Sequence, residues 1–235
     1  MSSEAPLVSA VITVRDGERY LAEAIESVLA QTHPRIEAIV VDNGSTDSSG
    51  EIARSYGELV RVREEQCPGI PAARNAGVEE ASGDLIAFLD YDDVWEPRKT
   101  ERQVGALAAD PAVDIVFGLI QQFVSPELDP DLAMTLRVPS EPQPGLHLCA
   151  ALAPRRVFDE IGPWPLDIDI SDGLHWLLRA RSLGMRELML RDVVTRRRVH
   201  GANHSFLHRQ SRAEFARLLK DSIDFRRRDD ARSSS

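Results

Sequence analysis

Two cysteines in 235 residues, Cys67 and Cys149, are too few for a disulfide framework and lack the spacing of a zinc site. No stretch approaches the roughly 18 consecutive apolar residues that a membrane-crossing helix needs. The opening "MSSEAPLVSA" has no basic region followed by an apolar core, so no secretory leader is expected. The chain also has no internal repeat and no low-complexity tract. These absences predict a cytoplasmic protein, at most peripheral to a membrane. Positive charge is scarce too: the net charge is −10, and the fifteen Lys and Arg after residue 175, against seven Asp and Glu, leave −18 on the first 175 residues. A body so acidic argues against nucleic acid as a partner, because phosphate binding needs a basic footprint.

What is present is ordinary globular composition, 43% hydrophobic and 28% charged, at a length suited to one fairly large domain. The first half alternates strand and helix signals. "LVSAVITV" (7–14), "IEAIVVD" (36–42), "LVRVRE" (59–64) and "DLIAFLD" (84–90) read as strands. Between them "GERYLAEAIESVLAQ", "NGSTDSSGEIARSYG" and "PGIPAARNAGVEEASG" read as helices, the second capped by Ser45, Thr46 or Asp47. This alternation predicts an α/β fold with a mostly parallel sheet covered on both faces. Ligands of such sheets bind past the carboxyl ends of the strands. The residues there are Arg15 and Asp16, Asp42 and Asn43, and the cluster Asp90, Asp92 and Asp93.

Farther along, a helix is expected from Pro97 to Ala109, a strand over 113–124 and another over 147–154. Short helical signals follow in "RRVFDEIG", "DGLHWLLRARSLG" (172–184) and "SRAEFARLLKDSIDFRRR". The segment 125–147 holds five of the fourteen prolines and no periodicity, a length of loop that is often functional. The basic runs "TRRRVH" and "FRRRDD" either meet phosphates or form a solvated helix face, the latter reading favoured for the last run.

Taken in order, "VITVRDGERYLAEAIESVLAQT", "IVVDNGSTDSSGEIA", "PGIPAARNAG", "GDLIAFLDYDDVW", "DGLHWLLRA" and "RRRVHGANHS" resemble the family 2 glycosyltransferases of GT-A fold over most of residues 7–205. The resemblance implies a Rossmann-like three-layer domain over 7–225, with a nucleotide-sugar half (7–110) and an acceptor half (111–225). Residues 1–6 and 226–235 would be flexible ends. It implies transfer of a sugar, with inversion, from a nucleotide-diphosphate sugar to an unidentified acceptor hydroxyl. The acceptor could be a saccharide, lipid carrier, peptide or small metabolite.

By this resemblance Thr13, Val14, Arg15 and Asp16 line the nucleoside pocket and Asp42 bonds the base, commonly uracil. Thr13 stands where relatives usually have proline, and Asp42 could equally be a cap for the turn that follows. Arg74 in "AARNAG" would meet the donor phosphates, a task its permanent charge suits. Its alternative is a helix-surface partner. "DYD" matches the family's D-x-D motif: Asp90 would contact the ribose and Asp92 would bind Mn²⁺ or Mg²⁺, both of which suit oxygen ligands. Asp93 would cap the following segment. His200, with Asn203 and Ser205, would be a metal ligand or a diphosphate contact.

An inverting enzyme also needs a base for the acceptor hydroxyl. Aligned on Trp176, Asp172 takes the first position of the family's acidic pair and Gly173 takes the second. Asp172 is the candidate base or else a helix cap; His175 is the next choice, ahead of Asp167 and Asp169. Loss of the base would leave a nucleotide-sugar binder. A nucleotidyltransferase would show a glycine-rich basic loop after the first strand, and "TVRDGERYL" is not one.

Overall fold

The computed structural model describes residues 4–128, 131, 138–167 and 172–201. The run VSAVITV forms β1 (Val8–Val14), buried along its whole length. Alternate side chains of a strand point to opposite faces. Val8, Ala10, Ile12 and Val14 accordingly pack with Leu21, Ala24, Ile25 and Val28 of α1 (Leu21–Leu29). Val11 packs on the other face with Ala73 and Ala76 of α3 (Ile70–Glu80). A strand covered on both sides is what an unbroken apolar run specifies.

Around β1, the strands β2 (Ile36–Asp42), β3 (Val60–Glu64) and β4 (Leu85–Asp90) complete a parallel set in the order β3-β2-β1-β4, with α2 (Ser49–Ser55) between β2 and β3. The register pairs Val14 with Asp42 and Thr13 with Asp90, so three expected site residues end neighbouring strands at one edge of the sheet. Of the three expected caps of α2, Asp47 accepts from the Ser49 amide at 2.9 Å, while the N-cap position itself is Ser48 and the Ser45 hydroxyl accepts from the Asp16 amide.

The second half comprises β5 (Val94–Trp95), α4 (Lys99–Ala109), β6 (Ile115–Val124), β7 (Gln143–Pro144), β8 (Ala151–Pro154), α5 (Arg155–Ile161), α6 (Asp172–Ser182) and β9 (Glu187–Val199). β8 lies antiparallel between β4 and β6 and joins the two halves into one nine-stranded sheet, β3-β2-β1-β4-β8-β6-β9-β5, with β7 beside β6. The expected strand over 147–154 divides into a 3₁₀ turn, Leu148–Ala150, and β8. "TRRRV" is neither loop nor helix: it ends the 13-residue β9, paired in parallel with β6. Trp176 seats α6 on Phe158 and Trp164, at ring centroid distances of 5.2 and 6.3 Å. The expected helix after residue 210 lies outside the described residues.

Candidate active site at the carboxyl edge of the sheet

Two loops meet past β1 and β2. Asp16 has a positive φ of 50°, a conformation that Asp and Asn tolerate better than other residues with a side chain. Its Oδ1 accepts from the Thr46 amide at 2.7 Å, while its own amide donates to Ser45 Oγ at 3.0 Å. Gly17 donates to Ser49 Oγ at 2.9 Å and Glu18 to Asp47 Oδ2 at 2.9 Å. A side chain at 17 would overlap the Tyr91 ring. Asp16 is therefore a stitch between loops, with Arg15 exposed beside it at 3.9 Å.

Asp42 is buried, and its Oδ1 accepts from the Ser45 amide at 2.9 Å, so the turn-capping role is real. Oδ2 lies over Gly50, where an added Cβ would stand 2.9 Å away. The neighbouring Asn43 is also buried. Its amide nitrogen donates to the Glu65 and Cys67 carbonyls at 3.2 and 2.7 Å, and its oxygen accepts from Gly69 at 2.8 Å. A carboxylate could not make those donations, which explains asparagine here.

Each residue of "RNAG" has a separate task. Arg74 is 6% exposed, so the helix-surface alternative is out; its Nη2 lies 3.5 Å from Asp90 Oδ1 and its guanidinium 6.0 Å from the Phe88 ring. Burial pulls its pKa down, and Asp90 opposes that. Asn75 grips the Trp164 backbone twice, donating to its carbonyl and accepting from its amide, both at 2.9 Å. Gly77 lets α3 close on β1, since a side chain there would overlap Val11 Cγ1.

The turn after β4 is closed by the Asp93 amide donating to the Asp90 carbonyl at 3.0 Å. Tyr91 is pushed up to about 12 by burial and then by Asp92 and Asp90, so its phenol stays neutral. Asp93 does not cap the segment that follows it; it is buried and accepts from the Arg198 amide of β9 at 2.9 Å. Burial, followed by Asp92 and Asp90, drives its pKa well above the usual carboxylate range. Asp92 Oδ2 lies 3.0 Å from His200 Nε2, which joins two residues 108 positions apart.

The contact is a hydrogen bond, and the two side chains offer one carboxylate and one imidazole nitrogen, donor types that a divalent cation accepts. A second set of potential ligand atoms, on Asp90, Asp93 and Cys149, lies within 4.8 Å of one another. It suits such a cation less well, because burial holds the Cys149 thiol protonated, with Asp93 and Asp90 adding to the effect.

Asp172 begins α6, but its side chain, like Asp169, Asn203 and Ser205, lies outside the described residues. Gly173 does face the site: a Cβ there would stand 3.8 Å from Arg74 Nη1 and 3.9 Å from Leu148 Cδ1. Two residues were not expected from the sequence. His147 precedes the 3₁₀ turn Leu148–Ala150, with Asp90, Arg74 and Arg197 near enough to act on its charge. Burial lowers its pKa, Arg197 and Arg74 push the same way, and Asp90 opposes them. The other is Arg198, buried in β9 against the acidic turn; only the alternation of "RRRVH" along a strand could have marked it.

A family model described as Glycosyl transferase family 2 matches residues 9–162. The glycosyltransferase AglE of Haloferax volcanii is 30% identical over 207 residues, covering 83% of this chain and 67% of that protein. An uncharacterized glycosyltransferase of Rickettsia typhi is 34% identical over 174 residues, 67% of this chain. The chain spans 53% of that relative's length, and 28% of one from Rickettsia felis. Among solved structures, S. aureus TarS in complex with UDP has a TM-score of 0.70 at 18% identity, covering 94% of this chain and 65% of that one. Mannosyltransferase PcManGT from Pyrobaculum calidifontis, in complex with GDP-Man and Mn²⁺, has a TM-score of 0.66 at 22% identity, covering 96% and 65%. These likenesses place the chain in the same α/β fold.

Proposed function

Because the chain belongs to glycosyl transferase family 2, we propose that it moves a sugar, with inversion, from a nucleotide-diphosphate sugar to an acceptor hydroxyl in a metal-dependent reaction. The observation that carries this reading is convergence. Val14, Asp42 and Asp90 end adjacent parallel strands, the buried Arg74 faces Asp90, and Asp92 meets His200. Structures of TarS with UDP and UDP-GlcNAc support a uridine donor, and the GDP-Man complex of PcManGT makes guanosine the competitor.

In this reading Asp42 and the 13–16 loop hold the nucleoside. Asp90 takes the ribose, and Arg74 meets the diphosphate. Asp92 and His200 would hold Mn²⁺ or Mg²⁺, which when bound would offset the charge gathering on the departing diphosphate. Asp172, at the head of α6, removes the acceptor proton as the hydroxyl attacks the face opposite the leaving group. Substitution of Asp172 by Asn should leave UDP binding within about twofold of wild type. Transfer should fall roughly 10²–10⁴-fold, the usual worth of a general base. Full activity in Asp172→Asn would overturn the assignment.

A second reading has its own observation. Gly173 offers no carboxylate at the position whose Cβ would face Arg74. A protein that binds the nucleotide sugar without transferring it would show metal-enhanced UDP binding but no product with any acceptor.

A further inference from the structure

Arg198 is 5% exposed, and burying a guanidinium is costly unless its donors are all well directed. Arg198 is tied to the acidic turn and to α1. Its main-chain amide donates to Asp93 Oδ1 at 2.9 Å, and Nε donates to the Asp92 carbonyl at 3.1 Å. Nη2 donates to the Glu23 carboxylate on α1. The guanidinium lies 4.7 Å from the centroids of both Tyr20 and Phe123. Two residues on, His200 falls on the same side of the chain as it leaves β9. Its Nε2 meets the Asp92 carboxylate, and its ring lies 4.9 Å from Tyr20. The result is a closed circuit. Asp92 is held at its main chain by Arg198 and at its side chain by His200, with the Tyr20 ring against both holders.

We propose that Arg198 is a positioning residue for the donor's cation: it fixes the Asp92 peptide, so the Asp92 carboxylate stands beside His200 before any donor arrives. This rests on the reading of Asp92 and His200 as the cation's ligands. Groups that orient a metal ligand typically account for 10–100-fold in metal affinity. Pre-set geometry raises affinity by removing the ordering cost from the binding step.

The test is Mn²⁺ binding to the UDP-saturated protein, followed by the electron paramagnetic resonance signal of free Mn²⁺. UDP affinity in EDTA is measured alongside. Arg198→Ala should weaken Mn²⁺ binding about tenfold or more and leave metal-free UDP affinity within about twofold. Arg198→Lys should not restore it, since one ammonium cannot reproduce the planar fork that reaches the Asp92 carbonyl and Glu23 together. A purely structural role would lower thermal stability without this split. Wild-type Mn²⁺ affinity in folded Arg198→Ala overturns the proposal. Should that variant not fold, Glu23→Ala decides, because Glu23 is half exposed and its loss frees one arm of the fork. Severalfold weaker Mn²⁺ binding is expected there, and an unchanged value overturns the proposal. Wild-type protein that binds UDP equally well with and without Mn²⁺ instead overturns the metal-dependent reading itself.

Discussion

Asn43 shows how one buried side chain can tie a strand end to a distant loop. It ties the end of β2 to the 65–69 loop through two donations and one acceptance, and that loop leads into α3 and Arg74. Changing Asn43 to Asp removes both donors and sets a carboxylate against two carbonyl oxygens. Leaving buried groups unpaired in this way costs about 1–3 kcal/mol. Denaturant unfolding of Asn43→Asp should show that loss as a lower midpoint with an unchanged slope; a wild-type midpoint would mean the loop is held by other means. Residue types at the site were legible in the sequence because "VDNGSTD", "AARNAG" and "DYDD" sit just past strong strand signals. Their partners were not. Whether Asp42 caps a turn or faces a base depends on which oxygen Ser45 engages, and no spacing encodes that.

At the scale of elements, α4 hides a cation. Lys99 is 1% exposed; its ammonium donates to Gln103 Oε1 at 2.6 Å and to the Ala151 carbonyl at 3.0 Å, with the Trp95 ring 4.3 Å away. Burial lowers its pKa to about 7. The folded value lies below the unfolded one, so between pH 7 and about 10.4 the unfolded chain holds more protons and stability contributed by this site rises with pH. One proton bounds the slope at about 1.4 kcal/mol per pH unit. Wild type should therefore gain on Lys99→Met as pH is raised from 7 to 9 in denaturant titrations. A constant difference would show that Gln103, Ala151 and Trp95 keep the ammonium charged throughout.

The strands β1 to β4 were readable to within about a residue because three are apolar runs closed by turn residues and β3 alternates valine with charge. β9 was not. Its sequence mixes arginines with apolar residues, and Arg198 is buried only because Asp92, Asp93 and Glu23 arrive from far away in the chain. Phe123 accepts Arg196 at 4.8 Å as well as Arg198, so one ring serves two like charges on neighbouring turns of the pleat. Basic residues that look solvated in one dimension become core when the sheet brings acids and rings to meet them.

For the whole molecule, the carboxyl edge gathers side chains from both halves of the sheet: Asp42, Arg74 and Asp90 from the first, His147, Arg198 and His200 from the second. Among the described residues no helix is long and apolar enough to cross a membrane. A ligand that bridges the halves binds only the folded state and raises its stability by RT ln(1 + [L]/Kd), about 2.7 kcal/mol at a hundredfold excess over Kd. For a domain of this size that is a shift of about 5–10 °C in Tm. With Mn²⁺ present, the nucleoside diphosphate that fits the Asp42 pocket should give that shift, the uridine form ahead of the guanosine form. EDTA should remove most of it, because the diphosphate then loses its link to Asp92 and His200 while the nucleoside contacts remain. Asp92→Ala should behave in Mn²⁺ as wild type does in EDTA. A guanosine preference would reassign the donor without touching the metal site. Equal shifts with and without EDTA would place the diphosphate on Arg74 alone and remove the cation from the reaction.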